Sequence, residues 1–252
     1  MAQPAPPLIF SSSRKAARAA RAMALGQRKG AADWLAAALI DDAFDRIEFM
    51  RVQPGRALVL GSGAGELGRL LERKEFTVTV LAPDEIDLEQ PIPSDGFALI
   101  ASLAALDTVN DLPGALIHHH AALAPGGVML ASLVGAGSLP RLRSALLAAD
   151  GERPAARLHP AVDARSGAGL LQRTGFARQV ADAWTLRLRY RSFDTLITDL
   201  RDQGLTSVLA DAPPPLTREG LDRARSDFLA QADETGKVVE TIEVLTLTGW
   251  HG

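Results

Sequence analysis

The sequence predicts an α/β fold built on a parallel sheet, and three observations carry that expectation. First, Ala57-Leu58-Val59-Leu60 is a short apolar run that leads into Gly61, Gly63 and Gly65, and then into helically spaced residues from Glu66 to Arg73. Second, further buried-type runs, Phe97 to Ser102 and Val128 to Leu133, alternate with helical patterns. Third, Val238 to Thr248 closes the chain with a strand rich in Val, Thr and Ile. Strands alternating with helices make crossover units with helices on both faces of a sheet. A strand, a glycine turn and a helix in that order open a nucleotide-binding sheet. Glycine carries no Cβ, so the backbone can come close to a ligand. The helix beyond offers free N–H groups and partial positive charge. Gly63-x-Gly65-x-x-Gly68 also fits the dinucleotide fingerprint.

Composition narrows the function classes. With 252 residues, 47% of them hydrophobic, the chain can bury a sizeable core as one large domain or a domain with an added lobe. A net charge of -3 argues against wholesale nucleic-acid binding, and 5% aromatic content leaves little for base stacking. The absence of cysteine excludes disulfides, thiol nucleophiles and cysteine-bound metals. No apolar run has the length of a membrane span.

The chain divides at about residue 30. Residues 1–30 form a basic arm carrying Arg14, Lys15, Arg18, Arg21, Arg28 and Lys29 without an acid, and 31–252 form the main domain. In composition the arm resembles a transit peptide. The alternative is an exposed basic helix, Arg14 to Leu25, folded over the domain. The lack of a secretory apolar core favours the helix, which could meet an acidic partner or an anionic membrane surface. Location is then cytoplasmic, or the mitochondrial matrix if the arm is a transit peptide.

The main domain begins with an amphipathic helix over 31–50, its apolar face made by Trp34, Leu35, Leu39, Ile40 and Phe44. Pro54-Gly55 links it to the glycine unit. Phe76 to Leu81 is the second strand, ended by Pro83. Asp84 to Gly96 then spans only thirteen residues, too few for a helix and a third strand. A deleted sheet edge is expected there. Asp111 to Leu123 and Ser138 to Ala149 are helices flanking the Val128 strand, and 150–168 reads mostly as loop before a short helix, Gly169 to Thr174. Ala177 to Arg189 reads as strand, Phe193 to Gln203 as helix, and Thr217 as the cap of a helix reaching about Ala232.

These elements carry a resemblance. Gly61-x-Gly63-x-Gly65 matches the first motif of class I S-adenosylmethionine-dependent methyltransferases. Asn110-Asp111-Leu112-Pro113-Gly114-Ala115-Leu116 followed by Leu123-Ala124-Pro125-Gly126-Gly127 looks like their strand-4 to strand-5 segment. Leu158-His159-Pro160, Val162-Asp163, Leu170-Leu171-Gln172-Arg173, Gly175-Phe176, Arg189-Tyr190-Arg191, Asp199-Leu200-Arg201 and Leu247-Thr248-Gly249-Trp250 narrow it. Together they resemble the methyltransferase-like assembly factors of respiratory complex I. The malonyl-carrier-protein methyltransferases of biotin synthesis are similar too. The resemblance implies a Rossmann-like class I methyltransferase sheet, here reduced at the third-strand edge, with the last strand antiparallel.

The resemblance also implies S-adenosylmethionine in the cleft at the carboxyl ends of the strands, against Gly61, Ser62, Gly63, Gly65, Ser102 and Leu103. Family members place an acid in the first strand, where this chain has Val59, and another after the second strand, where it has Ala82. Asp84 or Asp87 could substitute as the ribose acceptor. A His-Trp pair is replaced by Asp107-Thr108. Three functions remain: a methyltransferase of unknown acceptor with a degenerate cofactor site, a non-catalytic assembly or binding protein that has lost the cofactor, and a hydroxylase-type activity. A dinucleotide oxidoreductase fits least. Catalytic residues stay unassigned.

Other candidates weigh less. His118-His119-His120 are neighbours on a helix and cannot share one ion, so a solvated face is expected and no metal. His159 and Asp163 suit a loop-ordering hydrogen bond. Arg187, Arg189 and Arg191 alternate as a solvated strand face or a partner-binding one. Trp184 and Trp250 are expected in the core.

Overall fold

A computed structural model describes residues 7–83 and 85–252. Its centre is a six-stranded sheet in the order β2-β1-β3-β4-β6-β5. The strands are β1 (Arg56–Gly61), β2 (Thr77–Leu81), β3 (Phe97–Leu103), β4 (Leu123–Val134), β5 (Arg178–Tyr190) and β6 (Val238–Trp250). β2, β1, β3 and β4 run parallel, and β6 lies antiparallel between β4 and β5. The reversed last strand and the reduced edge are thus both present. β2 is the sheet edge, and the described residues between Leu81 and Phe97 contain neither helix nor strand.

Side chains along a strand alternate between faces. Ala57, Val59, Leu99 and Ala101 face one core, while Leu58, Leu60, Ile100 and Met129 face the other. The first core is covered by α2 (Trp34–Met50), α3 (Ala64–Glu72), α5 (Pro140–Asp150), α7 (Phe193–Asp202) and α8 (Arg218–Ala230). The second is covered by α4 (Leu112–Ala122) and α6 (Ala164–Arg173), with Ile86, Leu88 and Ile92 of the shortened segment packed beside them. Those three apolar side chains pack on this second core in a stretch where no crossover helix stands among the described residues.

The arm folds as the helix reading expected. α1 (Ser12–Gly26) is capped by Ser11 and docks on α7. None of its residues is fully buried. Thr217 caps α8 by accepting from Gly220 N–H. Two expectations need correction. α6 begins at Ala164, well before Gly169, because Asp163 accepts the Ser166 N–H and starts the helix. Gly167 then lets that helix lie close on Leu247, whose side chain would be 2.7 Å from an added Cβ. His119, second of the three histidines, is not solvated but fully buried. Its ring lies between Ser102 Oγ, 2.8 Å from Nε2, and the Ala115 carbonyl, 2.7 Å from Nδ1, so both nitrogens are satisfied inside the protein.

Candidate functional site: the cleft at the strand ends

The glycine turn closes the carboxyl end of β1. Gly61 has φ +90°, and a Cβ there would overlap the Leu103 carbonyl oxygen. Ser62 N–H donates to that same oxygen at 2.7 Å, which ties the ends of β1 and β3 together. Gly63, at φ +76°, caps α3, and an added Cβ would meet Ile40 Cδ1 of α2 at 2.6 Å. Gly65 differs. It sits in the first turn of α3, and nothing lies within 4 Å of where its Cβ would be. A glycine inside a helix costs about 1 kcal/mol relative to alanine. No protein atom calls for one here.

The other half of the cleft looks different. β2 ends at Leu81, and the Ala82 N–H donates to the Glu85 carboxylate at 2.7 Å. Asp87 accepts the Glu89 N–H at 3.0 Å. Both acids thus serve their own short turns, and Asp84 lies outside the described residues. Ser102 turns its hydroxyl to His119, and Leu103 buries its side chain while its carbonyl holds the turn. At the end of β3, Asp107 accepts the Val134 N–H at 2.9 Å, and desolvation pushes its carboxyl up to about 7.

The arm lies across this end of the sheet. Asn110 Oδ1 accepts from both Ile9 N–H and Phe10 N–H at 2.8 Å, and Asn110 Nδ2 donates to the Phe10 carbonyl. Phe10 also forms a β-bridge with Leu209 and meets the His159 ring edge-on. Glu89 accepts from Asn110 N–H and pairs with Lys15 at 3.7 Å. Arg28 pairs with the buried Asp202. His159 Nε2 accepts the Val208 N–H at 2.8 Å, and burial pushes its pKa down to about 4. It orders a loop, as expected, but through Val208 and not Asp163. In the sequence Asn110 and Arg18 carry no site pattern beyond a place in the Asn110–Leu116 motif and in the basic arm. Among the described residues no group of three metal-binding side chains exists, and no helix is long and apolar enough to cross a membrane.

A family model described as methyltransferase domain matches residues 32–179. The chain belongs to this methyltransferase-domain family. The domain is 30% identical over 235 residues to a malonyl-[acyl-carrier protein] O-methyltransferase of Halorhodospira halophila, covering 83% of this chain and 79% of that one. It is 29% identical over 178 residues to the mitochondrial arginine-hydroxylase NDUFAF5 of Rattus norvegicus, covering 69% of this chain and 51% of that one. The chain thus spans about half the length of such curated relatives. Two solved structures share the fold at 14% identity. One is a Bacillus halodurans protein described as a methyltransferase, with TM-score 0.52 over 82% of this chain and 97% of that one. The other is a Burkholderia thailandensis 1,6-didemethyltoxoflavin-N1-methyltransferase bound to S-adenosylhomocysteine, with TM-score 0.51 over 98% and 94%.

The family implies S-adenosylmethionine, and the two halves of the cleft fit it unequally. The glycine turn fits, because Gly65 leaves open space beside a helix N-terminus. On the ribose side, among the described residues, Val59 and Ala82 carry no carboxylate, and Glu85 and Asp87 each accept a backbone N–H of their own turn.

Proposed function

We propose that this protein is an S-adenosylmethionine-dependent methyltransferase-like protein with a degenerate cofactor site. The observation that carries the reading is the end of β2, where Ala82 stands in place of an acid and its N–H is held by Glu85. Loss of a charged acceptor for a ribose diol weakens binding by roughly 1.5–3 kcal/mol. Each 1.4 kcal/mol is about tenfold in affinity. The test is calorimetry at about 25 °C with S-adenosylmethionine and its demethylated product. The expected dissociation constant is near millimolar or beyond measurement. A low-micromolar value overturns the degenerate-site reading. Asp84 or Asp87 would then hold the ribose, and Asp84→Ala should weaken binding at least tenfold.

The open space at Gly65 favours a second reading, an active methyltransferase of unknown acceptor. A hydroxylase-type activity draws support from the likeness to a relative described as an arginine-hydroxylase, while the non-catalytic assembly role rests on the sequence resemblance. We read α1 as a working part of the protein, because it is docked on α7 and pins the loop after β3 through Lys15 and Glu89.

A further inference from the structure

Arg18 reaches inward from a helix that is otherwise mostly exposed. Its guanidinium donates to Thr108 Oγ1 and to the Thr206 carbonyl, both at 3.3 Å. Both partners are neutral and both bonds are long for N–H donors. A guanidinium has five N–H donors, so most of the fork is unused. Among the described residues no carboxylate lies within 4 Å of it. Asp107 acts on it only from farther away, and its carboxylate is already committed to Val134. Arg18 is half-buried, so part of its charge is shielded from water while only two neutral acceptors meet it.

A second observation lies in the same loop. Ser207, between Thr206 and Val208, has a buried hydroxyl with no hydrogen-bond partner. Buried polar atoms are nearly always satisfied, so an orphan of this kind calls for an explanation. Val208 on its other side is fixed by His159. All of this gathers near the carboxyl end of β3, the side on which open α/β sheets bind ligands.

We infer that Arg18, together with the hydroxyls of Thr108 and Ser207, forms a binding site for an oxyanion, a carboxylate or a phosphate monoester, at the mouth of the cleft. The planar fork suits either group, since both accept two parallel N–H bonds. The site does not depend on the cofactor reading, because none of its residues belongs to the glycine turn.

The experiment measures thermal unfolding of the full chain in sodium acetate and in sodium phosphate, against sodium chloride at matched ionic strength, followed by calorimetric titration with the effective anion. Acetate and phosphate separate the two sources of the oxyanion. The expected result is a rise in melting temperature over chloride that is lost in Arg18→Gln and kept in Arg21→Gln, whose side chain is exposed on α1. The affinity of Arg18→Gln should fall at least tenfold. Gly65→Ala should keep the full anion response even where cofactor binding fails. Should Arg18→Gln not fold, Arg18→Lys keeps the charge without the fork and should bind at least threefold more weakly. An equal response in native protein and in the Arg18 variant, or no response to either anion, overturns the assignment.

Discussion

The β1–α3 turn and the segment from Ala82 to Gly96 belong to the same cleft, yet one is intact and the other is cut back. The difference follows from what each does for the protein itself. Gly61 is fixed by the Leu103 carbonyl and Gly63 by Ile40, so both are needed for packing whether or not a ligand binds. The resemblance expects an acid directly after β2; Ala82 stands there, and Glu85 and Asp87 beyond it accept N–H groups of their own turns. A retained glycine motif therefore says less about binding than it first suggests. Gly65, which nothing in the protein requires, is the informative one.

The largest expected effect tests the packing half of that comparison. Gly61→Val places a β-branched side chain at positive φ and against backbone, which cannot yield. Strain and overpacking of this kind should cost about 3–5 kcal/mol, or on the order of 10 °C in melting temperature. Gly63→Val meets only the flexible tip of Ile40 and should cost less, about 2–3 kcal/mol. Unchanged melting of both variants would break the comparison.

Acid titration sharpens it next. His119 lies beneath β3 on the face opposite α3, bonded to Ser102, and His159 meets Phe10 of the arm. Burial holds each folded pKa down to about 4. An unfolded chain takes up those protons near 6.5, so it binds more protons than the folded one between about 4 and 6.5. Stability from these groups is complete above that range and is lost as pH falls through it. His119 alone contributes at most about 3 kcal/mol. Asp107 opposes them, because its folded pKa of about 7 favours the folded state as pH falls below that value. Asp107→Asn should therefore steepen the loss of stability between pH 7 and 4, measured by denaturant unfolding. A shallower slope would contradict this assignment.

A smaller effect concerns the cut-back half. Asn110 bonds the backbone of Ile9 and Phe10 and meets Glu89. Asn110→Ala leaves those partners unpaired and should cost about 2 kcal/mol. Amide exchange should quicken in 7–11 and in 85–92 together. Faster exchange in the arm alone would show that the segment stands without it.

The smallest effect is the most discriminating. Gly65→Ala should leave stability unchanged or raise it by up to about 1 kcal/mol. The same variant should weaken whatever binding of S-adenosylmethionine calorimetry detects. If stability falls by more than 1 kcal/mol, Gly65 has a packing role, and its value as a marker of the ligand disappears.

The sequence by itself determined the sheet. Periodicity over 57–73, 97–102, 128–133 and 238–248 follows from burial on two faces, and the thirteen residues between Asp84 and Gly96 leave no room for a third strand. Local chemistry also placed Thr217 as a cap. Tertiary structure alone decided the rest, because it depends on contacts between residues far apart in the chain. His119 is buried because Ser102 and the Ala115 carbonyl satisfy it, which no pattern in three adjacent histidines reveals. Gly61 and Gly63 are separated from Gly65 by their positive φ and by what lies opposite each. Arg18 and Asn110 join the cleft because α1 folds back across the end of β3 and brings 9–18 against 108–110 and 206–209. A basic arm reads the same in sequence whether it floats or docks; the docking is set by desolvation and hydrogen-bond geometry at the surface it meets.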